Sequence, residues 1–354
     1  MTGSVGCAPP GSTNGNGGSA EPAIGVDIGA SRLKLALVDR TGAVLRSRVC
    51  PTPQTGTGPE VVDEICSAIL AFRDDGPALA VAPRGTGIVV PHFSEGPDWT
   101  QRWANNMGAL EGIALRPLLT KRLGGELAIA NDVSAATMAE HMFGLGRGVD
   151  RLLLMAIGTG ISIGVIVDGE LLQYTWGTAG DTGHIVVDIE GMHECTCGAR
   201  GCLETVASGT GIGRAAVRAA LRGETTALAA ILEAGRDISA ADVAEAARQG
   251  DPMARAVFDR AAFFLGVALA SFVQVFCPQL VVLAGGVTAS SDLWLERLRQ
   301  SLHEIGSPAR LSKLQGVELS AFPHMGAAIG SAGLVLYPGL YLRDRIPTES
   351  QVDQ

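Results

Sequence analysis

Gly183-His184-Ile185-Val186-Val187-Asp188-Ile189-Glu190-Gly191-Met192-His193-Glu194-Cys195-Thr196-Cys197-Gly198-Ala199-Arg200-Gly201-Cys202-Leu203-Glu204 places one histidine and three cysteines in the spacing His184-x10-Cys195-x-Cys197-x4-Cys202. Thiolate sulfur and imidazole nitrogen suit Zn²⁺, and Gly198 and Gly201 let the chain wrap closely around an ion. The run therefore reads as a closed tetrahedral zinc site. A reduced cysteine cluster or a disulfide pair would use the same residues; spacing and glycine content favour zinc. Zinc here would pin a loop that starts at His184 and ends at Glu204, two polar residues placed to face a ligand.

Just before this loop, residues 151–157 form an apolar, strand-like run, Gly158-Thr159-Gly160 forms a turn, and residues 161–167 form a second strand closed by the hairpin signal Asp168-Gly169. The same pattern opens the chain. Ile24-Gly25-Val26-Asp27-Ile28 is followed by the bend Gly29-Ala30-Ser31 and another apolar run to Asp39. Two blocks that both open with strand, glycine turn and strand indicate a duplication at the level of pattern. They predict an α/β protein of two domains facing one another across a cleft. Between and after them, helical spacing is expected over 61–72, 133–143, 211–221, 239–249 and 252–276. Strand-length apolar runs occupy 78–90, 127–130 and 280–283, the last leading into Ala284-Gly285-Gly286. A final helix over 326–336 is lined with small residues.

Backbone N–H groups in glycine turns point at phosphate oxygens, and small residues allow the close approach. Two such turns aimed into one cleft are a way to hold a nucleotide. Each turn alone reads more readily as an ordinary β-turn, and the P-loop and Rossmann patterns are absent in their required contexts. Asn131-Asp132 stands at a strand-to-helix junction. A carboxylate there is placed to take a proton from a substrate hydroxyl, although Asn and Asp are also favoured helix caps.

Composition narrows the classes. At 354 residues, with 47% hydrophobic and 18% charged residues, the chain is long enough for two domains around a substantial core. A net charge of −9 argues against a nucleic-acid-binding surface. Seven cysteines, an odd number with three in the cluster, argue against a disulfide framework and fit a reducing cytoplasm. No apolar run reads as a membrane span. The nearest, 261–277, carries Gln274 and reads as a buried or subunit-contact helix. Residues 1–22 read as a disordered, Gly/Ser/Pro-rich tail rather than a signal peptide.

Taken in order, these sites resemble the ROK family of sugar kinases and repressors, within the hexokinase/actin-like ATPase group. The resemblance runs over residues 24–336 and is strongest in the cysteine run with Leu203-Glu204-Thr205-Val206-Ala207-Ser208-Gly209 and in Gly158-Thr159-Gly160-Ile161 with Asp168-Gly169. It implies two actin-like ATPase (ribonuclease H-like) domains flanking a cleft. A small domain would span 23–132, joined by the C-terminal helix 326–337. A large domain would span 133–325 with the zinc loop at 184–204, and 338–354 would be a tail. It implies ATP, Mg²⁺ and Zn²⁺, a small-molecule sugar or cyclitol substrate, a homodimer, and no nucleic-acid or membrane partner.

By the same resemblance Asp132 is the general base, and Asn106, Asn131, Asp181, His184 and Glu204 bind the sugar. Gly29, Ser31, Gly158, Thr159 and Gly160 cradle the phosphates, Asp27 acts on Mg²⁺ through water, and Gly285 and Gly286 pack near the adenosine. His184 is shared between the sugar and the zinc set His184, Cys195, Cys197 and Cys202, and Gly183-His184 keeps its motif context over the competing His193.

The chain departs from the family pattern at several points. Ala30 and Ser31 replace the second Gly and the Thr of the first turn, narrowing it and keeping a hydroxyl. Asp181 replaces a Glu, shortening the carboxylate by one methylene. Pro91-His92 replaces Pro-Gly, and the interval from His184 to Cys195 is one residue longer. Changes around the sugar point away from plain glucose, toward a glucose-like cyclic polyol such as a C7-cyclitol. Two rivals are a sugar-responsive repressor, for which the acidic chain has no segment to form a DNA-binding domain before Asp27, and a catalytically silent sugar-binding protein, against which Asp132 speaks.

Overall fold

The structure, a computed structural model, describes residues 21–75, 82–90, 93–102, 107–172, 182–191, 193–223 and 226–340. The first half runs β1 (Ala23–Ile28), β2 (Arg32–Val38), β3 (Val44–Pro51), α1 (Gly58–Asp74), β4 (Gly85–Val90), β5 (Phe93–Glu95), β6 (Thr100–Arg102), α2 (Leu115–Leu123), β7 (Glu126–Asn131) and α3 (Asp132–Phe143). The second runs β8 (Leu152–Ile157), β9 (Ile161–Val167), β10 (Glu170–Leu171), α4 (Leu203–Ala207), α5 (Gly209–Leu221), α6 (Ala229–Glu233) and α7 (Ala240–Arg248). It continues with α8 (Pro252–Phe276), β11 (Leu280–Ala284), α9 (Leu295–Ile305), α10 (Pro308–Leu311), β12 (Gly316–Leu319) and α11 (Gly326–Leu336).

The two main sheets have one topology. The first is ordered β3-β2-β1-β4-β7 and the second β10-β9-β8-β11-β12. In each, three antiparallel strands are followed by parallel ones. The expected duplication is thus a repeated sheet. Asp168 and Gly169 both have positive φ at the β9–β10 turn, as the hairpin signal predicted.

Strand alternation sorts the side chains into layers. On β1 and β2, Ile24, Val26, Leu33, Leu35 and Leu37 pack under α1 and α2, while Ala23, Ala36 and Val38 face the middle of the molecule. There, α11 lies on the first sheet and α3 on the second, and the two helices pack together. Small residues make this possible. A Cβ at Gly25 would fall 1.8 Å from the Ala328 carbonyl oxygen, one at Gly87 1.9 Å from that of Ser331, and one at Gly330 1.7 Å from that of Ala135. Val26 N–H donates to Ser331 Oγ at 3.2 Å, anchoring α11 on β1. The buried Glu140 carboxylate of α3 accepts from Ser320 Oγ and Ala321 N–H, tying α3 to the approach to α11. The largest core lies on the far side of the second sheet, around α8.

Several boundaries differ from expectation. Of the apolar run 78–90, only Gly85–Val90 is strand among the described residues, and 76–81 lie outside them. The exposed strand β3 was not anticipated, because its sequence lacks an apolar face. Helix α8 is long and apolar enough to cross a membrane by length and composition, a stronger apolar run than expected; most of it is buried inside the protein, as befits a core helix.

Candidate active site

Parallel strands place their following loops at one sheet edge, the usual position for ligands in α/β folds. In the first sheet, β1, β4 and β7 are parallel, so the turn Gly29-Ala30-Ser31 and the Asn131-Asp132 junction share the carboxyl edge. In the second, β8 and β11 are parallel, so Gly158-Thr159-Gly160 and Gly285-Gly286 share theirs.

Asp132 is the first residue of α3. Asn131 caps that helix, its Oδ1 accepting from Ser134 N–H at 2.9 Å, so the Asn131 oxygen is committed to the backbone. Asp132 Oδ1 accepts from Val133 N–H at 2.8 Å. The Asp132 side chain is open to solvent on one side, yet protein crowds it closely on the others. Desolvation pushes its pKa above the usual carboxylate value, Asp27 adds to the rise, and Val133 N–H and Lys34 oppose it.

Asp27 and Lys34 are register partners across β1 and β2, and Lys34 Nζ lies 3.0 Å from Asp27 Oδ2. Lys34 was not singled out in the sequence. Cross-strand register is the only signal that pairs it with Asp27, and that requires knowing the turn. The turn itself is held from below: Gly29 N–H donates to Arg32 O at 3.1 Å, Thr52 Oγ1 to Gly29 O at 2.6 Å, and Gln54 to Ala30 O.

The second turn is built differently. Gly158 N–H donates to Gly160 O at 2.9 Å, and Gly209 N–H, at the start of α5, donates to Gly158 O at 2.7 Å. Glu204 Oε2 accepts from Ile161 N–H at 3.2 Å, and a Cβ on Gly160 would stand 2.4 Å from it. Glu204 therefore braces the second turn. Gly285 has φ +94°, and a Cβ there would meet the Ile157 carbonyl oxygen at 2.4 Å, whereas Gly286 faces open space. Gly285 permits the packing and Gly286 leaves room for a ligand.

His184, Cys195, Cys197 and Cys202 converge, with ligand atoms all within 4.8 Å of one another. Cys195 Sγ lies 3.3 Å from His184 Nδ1, and Cys197 Sγ lies 3.8 Å from Cys202 Sγ. Tetrahedral zinc with bonds of about 2.3 Å to sulfur sets ligand atoms about 3.8 Å apart, so the donor set fits the ion in kind, number and spacing. Burial pushes the Cys202 thiol up to about 12, with its neighbouring cysteines adding to the rise. Cys197, at the surface, is held below the usual thiol value, chiefly by Ala199 N–H. A bound cation overrides such shifts by deprotonating its thiol ligands. His193 is outside the set; its carbonyl accepts from Gly201 N–H at 3.0 Å. Asn106, Asp181 and His92 lie outside the described residues.

A duplicated sheet carrying two glycine turns and a carboxylate at its carboxyl edges is an α/β architecture of the actin-like ATPase type. The ROK family model matches residues 23–337, and the chain belongs to the ROK family. It is 30% identical over 313 residues to a glucokinase of Halalkalibacterium halodurans, covering 88% of this chain and 94% of that protein. Among solved structures it is similar to a ROK family glucokinase from Streptomyces griseus in complex with glucose and AMPPNP, with a TM-score of 0.72, 29% identity, and coverage of 88% of this chain and 98% of that one. It is also similar to a ROK family transcriptional regulator, a homologue of the E. coli MLC protein, with a TM-score of 0.78, 27% identity, and coverage of 91% and 80%.

Proposed function

We propose that the protein is an ATP-dependent sugar kinase that transfers the γ-phosphoryl group to a hydroxyl, in our reading a primary one, of a hexose or a glucose-like cyclic polyol such as a C7-cyclitol. The observation that carries this reading is Asp132: a carboxylate at the head of α3, on the same sheet edge as the first glycine turn, with its pKa raised above the usual carboxylate value by desolvation. Similarity to glucokinases supports it. A regulator shares the fold, but a protein that only senses sugar has no need of a base in this position.

In the reaction, the hydroxyl oxygen attacks the γ-phosphorus, the bond from phosphorus to the β–γ bridging oxygen breaks, and the hydroxyl proton passes to Asp132. Gly29, Ser31, Gly158, Thr159 and Gly160 would hold the phosphates through turn N–H groups. Gly285 and Gly286 would border the adenosine, and Asp27 would hold Mg²⁺ through water. Bound Mg²⁺ supplies charge neutralisation on the phosphates. Asn106, Asn131, Asp181, His184 and Glu204 would orient the sugar, with the zinc set holding the loop between His184 and Glu204. Closure of the unit 23–132 with its helix 326–337 onto 133–325 would exclude water.

Incubating the protein with ATP and a panel of hexoses and cyclitols, then locating the phosphorylated oxygen by phosphorus NMR, tests the proposal. Phosphorylation of a ring substrate at its exocyclic carbon is expected. Tight binding of a sugar with no transfer to any acceptor would instead make this a silent sugar-binding protein.

A further inference from the structure

The two sheets differ at their outermost antiparallel strands, and the difference lies beside residues proposed to bind the sugar. In the first sheet β3 covers β2 from the glycine turn onward, from Arg32 opposite Pro51 to Val38 opposite Val44. In the second, β10 has two residues and covers only Ile166 and Val167 of β9. The stretch of β9 next to Gly158-Thr159-Gly160 therefore has no strand on its outer edge among the described residues. Strand N–H groups left open there would be costly, so other acceptors must take them. Side chains do so. Ile161 N–H donates to Glu204 Oε2 at 3.2 Å, and Ile163 N–H donates to Thr182 Oγ1 at 2.9 Å. Between the two bonds the chain itself lies on the edge: a Cβ on Gly183 would fall 2.2 Å from the Ile161 carbonyl oxygen.

Ile161 and Ile163 are two residues apart, so their N–H groups share one edge and stand about 7 Å apart along the strand. That edge works as a ruler. Glu204, at one end of the cysteine loop, is fixed at one mark, and the helical turn Thr182–His184, at its other end, is fixed at the next. Asp181 adjoins Thr182 in sequence, and His184 closes its turn. A site whose polar groups are held at set spacing rejects a ring whose hydroxyl points elsewhere, because one group is then left unpaired. We propose that Thr182 is a positioning residue that sets acceptor specificity: through its bond from Ile163 N–H it holds Asp181 and His184 at a fixed distance from Glu204, and the three together read the arrangement of hydroxyls on the acceptor ring. This assignment rests on the sugar site of the kinase reading above.

The test compares wild type with Thr182→Val, which keeps the side-chain shape and loses the acceptor, and Thr182→Ser, which keeps the acceptor. The probes are glucose and its ring epimers mannose and galactose or, where the panel above shows a cyclitol to be the acceptor, that cyclitol and its ring epimers. In Thr182→Val the KM of the preferred acceptor is expected to rise about tenfold, the scale of one lost hydrogen bond, and the preference over its epimers to shrink about fivefold. The values of kcat and ATP KM should stay within about threefold, metal content should match wild type, and Thr182→Ser should restore both KM and preference. If the Val variant does not fold, as judged by thermal melting, Thr182→Ala is read in its place. An unchanged epimer preference, an acceptor KM within threefold of wild type, or loss of metal together with the sugar would overturn the assignment while leaving the kinase reading intact. Wild type that binds the acceptor without phosphorylating it would overturn the kinase reading alone, and calorimetric binding constants then replace KM in judging Thr182. Wild type that binds no sugar or cyclitol of the panel would overturn both.

Discussion

The two sheets share strand order and turn position but divide the chemistry. The first brings charge: Asp27, Lys34 and, at the end of β7, Asp132 gather on one edge. The second brings shape: Gly158-Thr159-Gly160, braced by Glu204 and by Gly209 of α5, with Ala156 and Ser162 where the first sheet has its ion pair. A duplicated backbone thus supplies two glycine turns at equivalent places. In the proposed reaction, divergence at a few inward-facing positions would make one half reactive and leave the other a scaffold that carries the His184 and cysteine cluster.

Removing the base should do the greatest damage to the charged half. Asp132→Asn is expected to lower kcat for sugar phosphorylation by about 10² to 10⁴. The fold should not suffer. A carboxyl whose folded pKa lies above its unfolded value stabilises the folded state only while both states are protonated. That stability is lost as pH rises through the unfolded and then the folded pKa. Ionised Asp132 is therefore a burden at neutral pH, and Asp132→Asn should melt above wild type at pH 7, with the gap closing below about pH 4. Wild-type kcat/KM should fall on the acid side with a midpoint above the ordinary carboxylate value. A variant that keeps most of the activity would remove the charged half from the chemistry.

Much of this division was legible in the chain, and the exceptions have physical causes. The glycine turns, the cysteine run and the Asn131-Asp132 junction are local signals, readable because their chemistry lies within a few residues of sequence. Lys34 was invisible because its meaning is a cross-strand register. Glu204 was assigned to the sugar from resemblance; that its Oε2 also braces the second turn, 43 residues away in sequence, is something no local pattern reports. Asn131 shows the converse: its capping role, weighed as the ordinary alternative, is the one its oxygen fulfils. Strand β3 was missed since both its faces are largely exposed and polar or mixed.

The half that carries the proposed zinc cluster should yield to chelation next. Stripping the metal with 1,10-phenanthroline, or replacing the exposed ligand Cys197 by Ser, should lower the melting temperature and raise the sugar KM on the order of tenfold. Because Glu204 follows two residues after Cys202 and braces the second turn, ATP KM should rise as well. Metal content measured alongside activity checks the link. A fully active protein without metal would confine the cysteine run to packing.

The smallest effect should come from loosening the first turn relative to the second. Ala30 carries a methyl group in the first turn, and its carbonyl is already held by Gln54. Ala30→Gly frees the backbone for close approach to a phosphate at the cost of a looser unliganded turn. The two effects oppose, so ATP KM is expected to fall by only about two- to fivefold, the equivalent of the 0.5–1 kcal/mol scale of such backbone changes, with kcat and the sugar KM unmoved. Steady-state kinetics at saturating sugar measures this directly. An unchanged ATP KM would mean that the phosphates are gripped by the second turn alone, and the first sheet would then contribute charge without contributing a cradle.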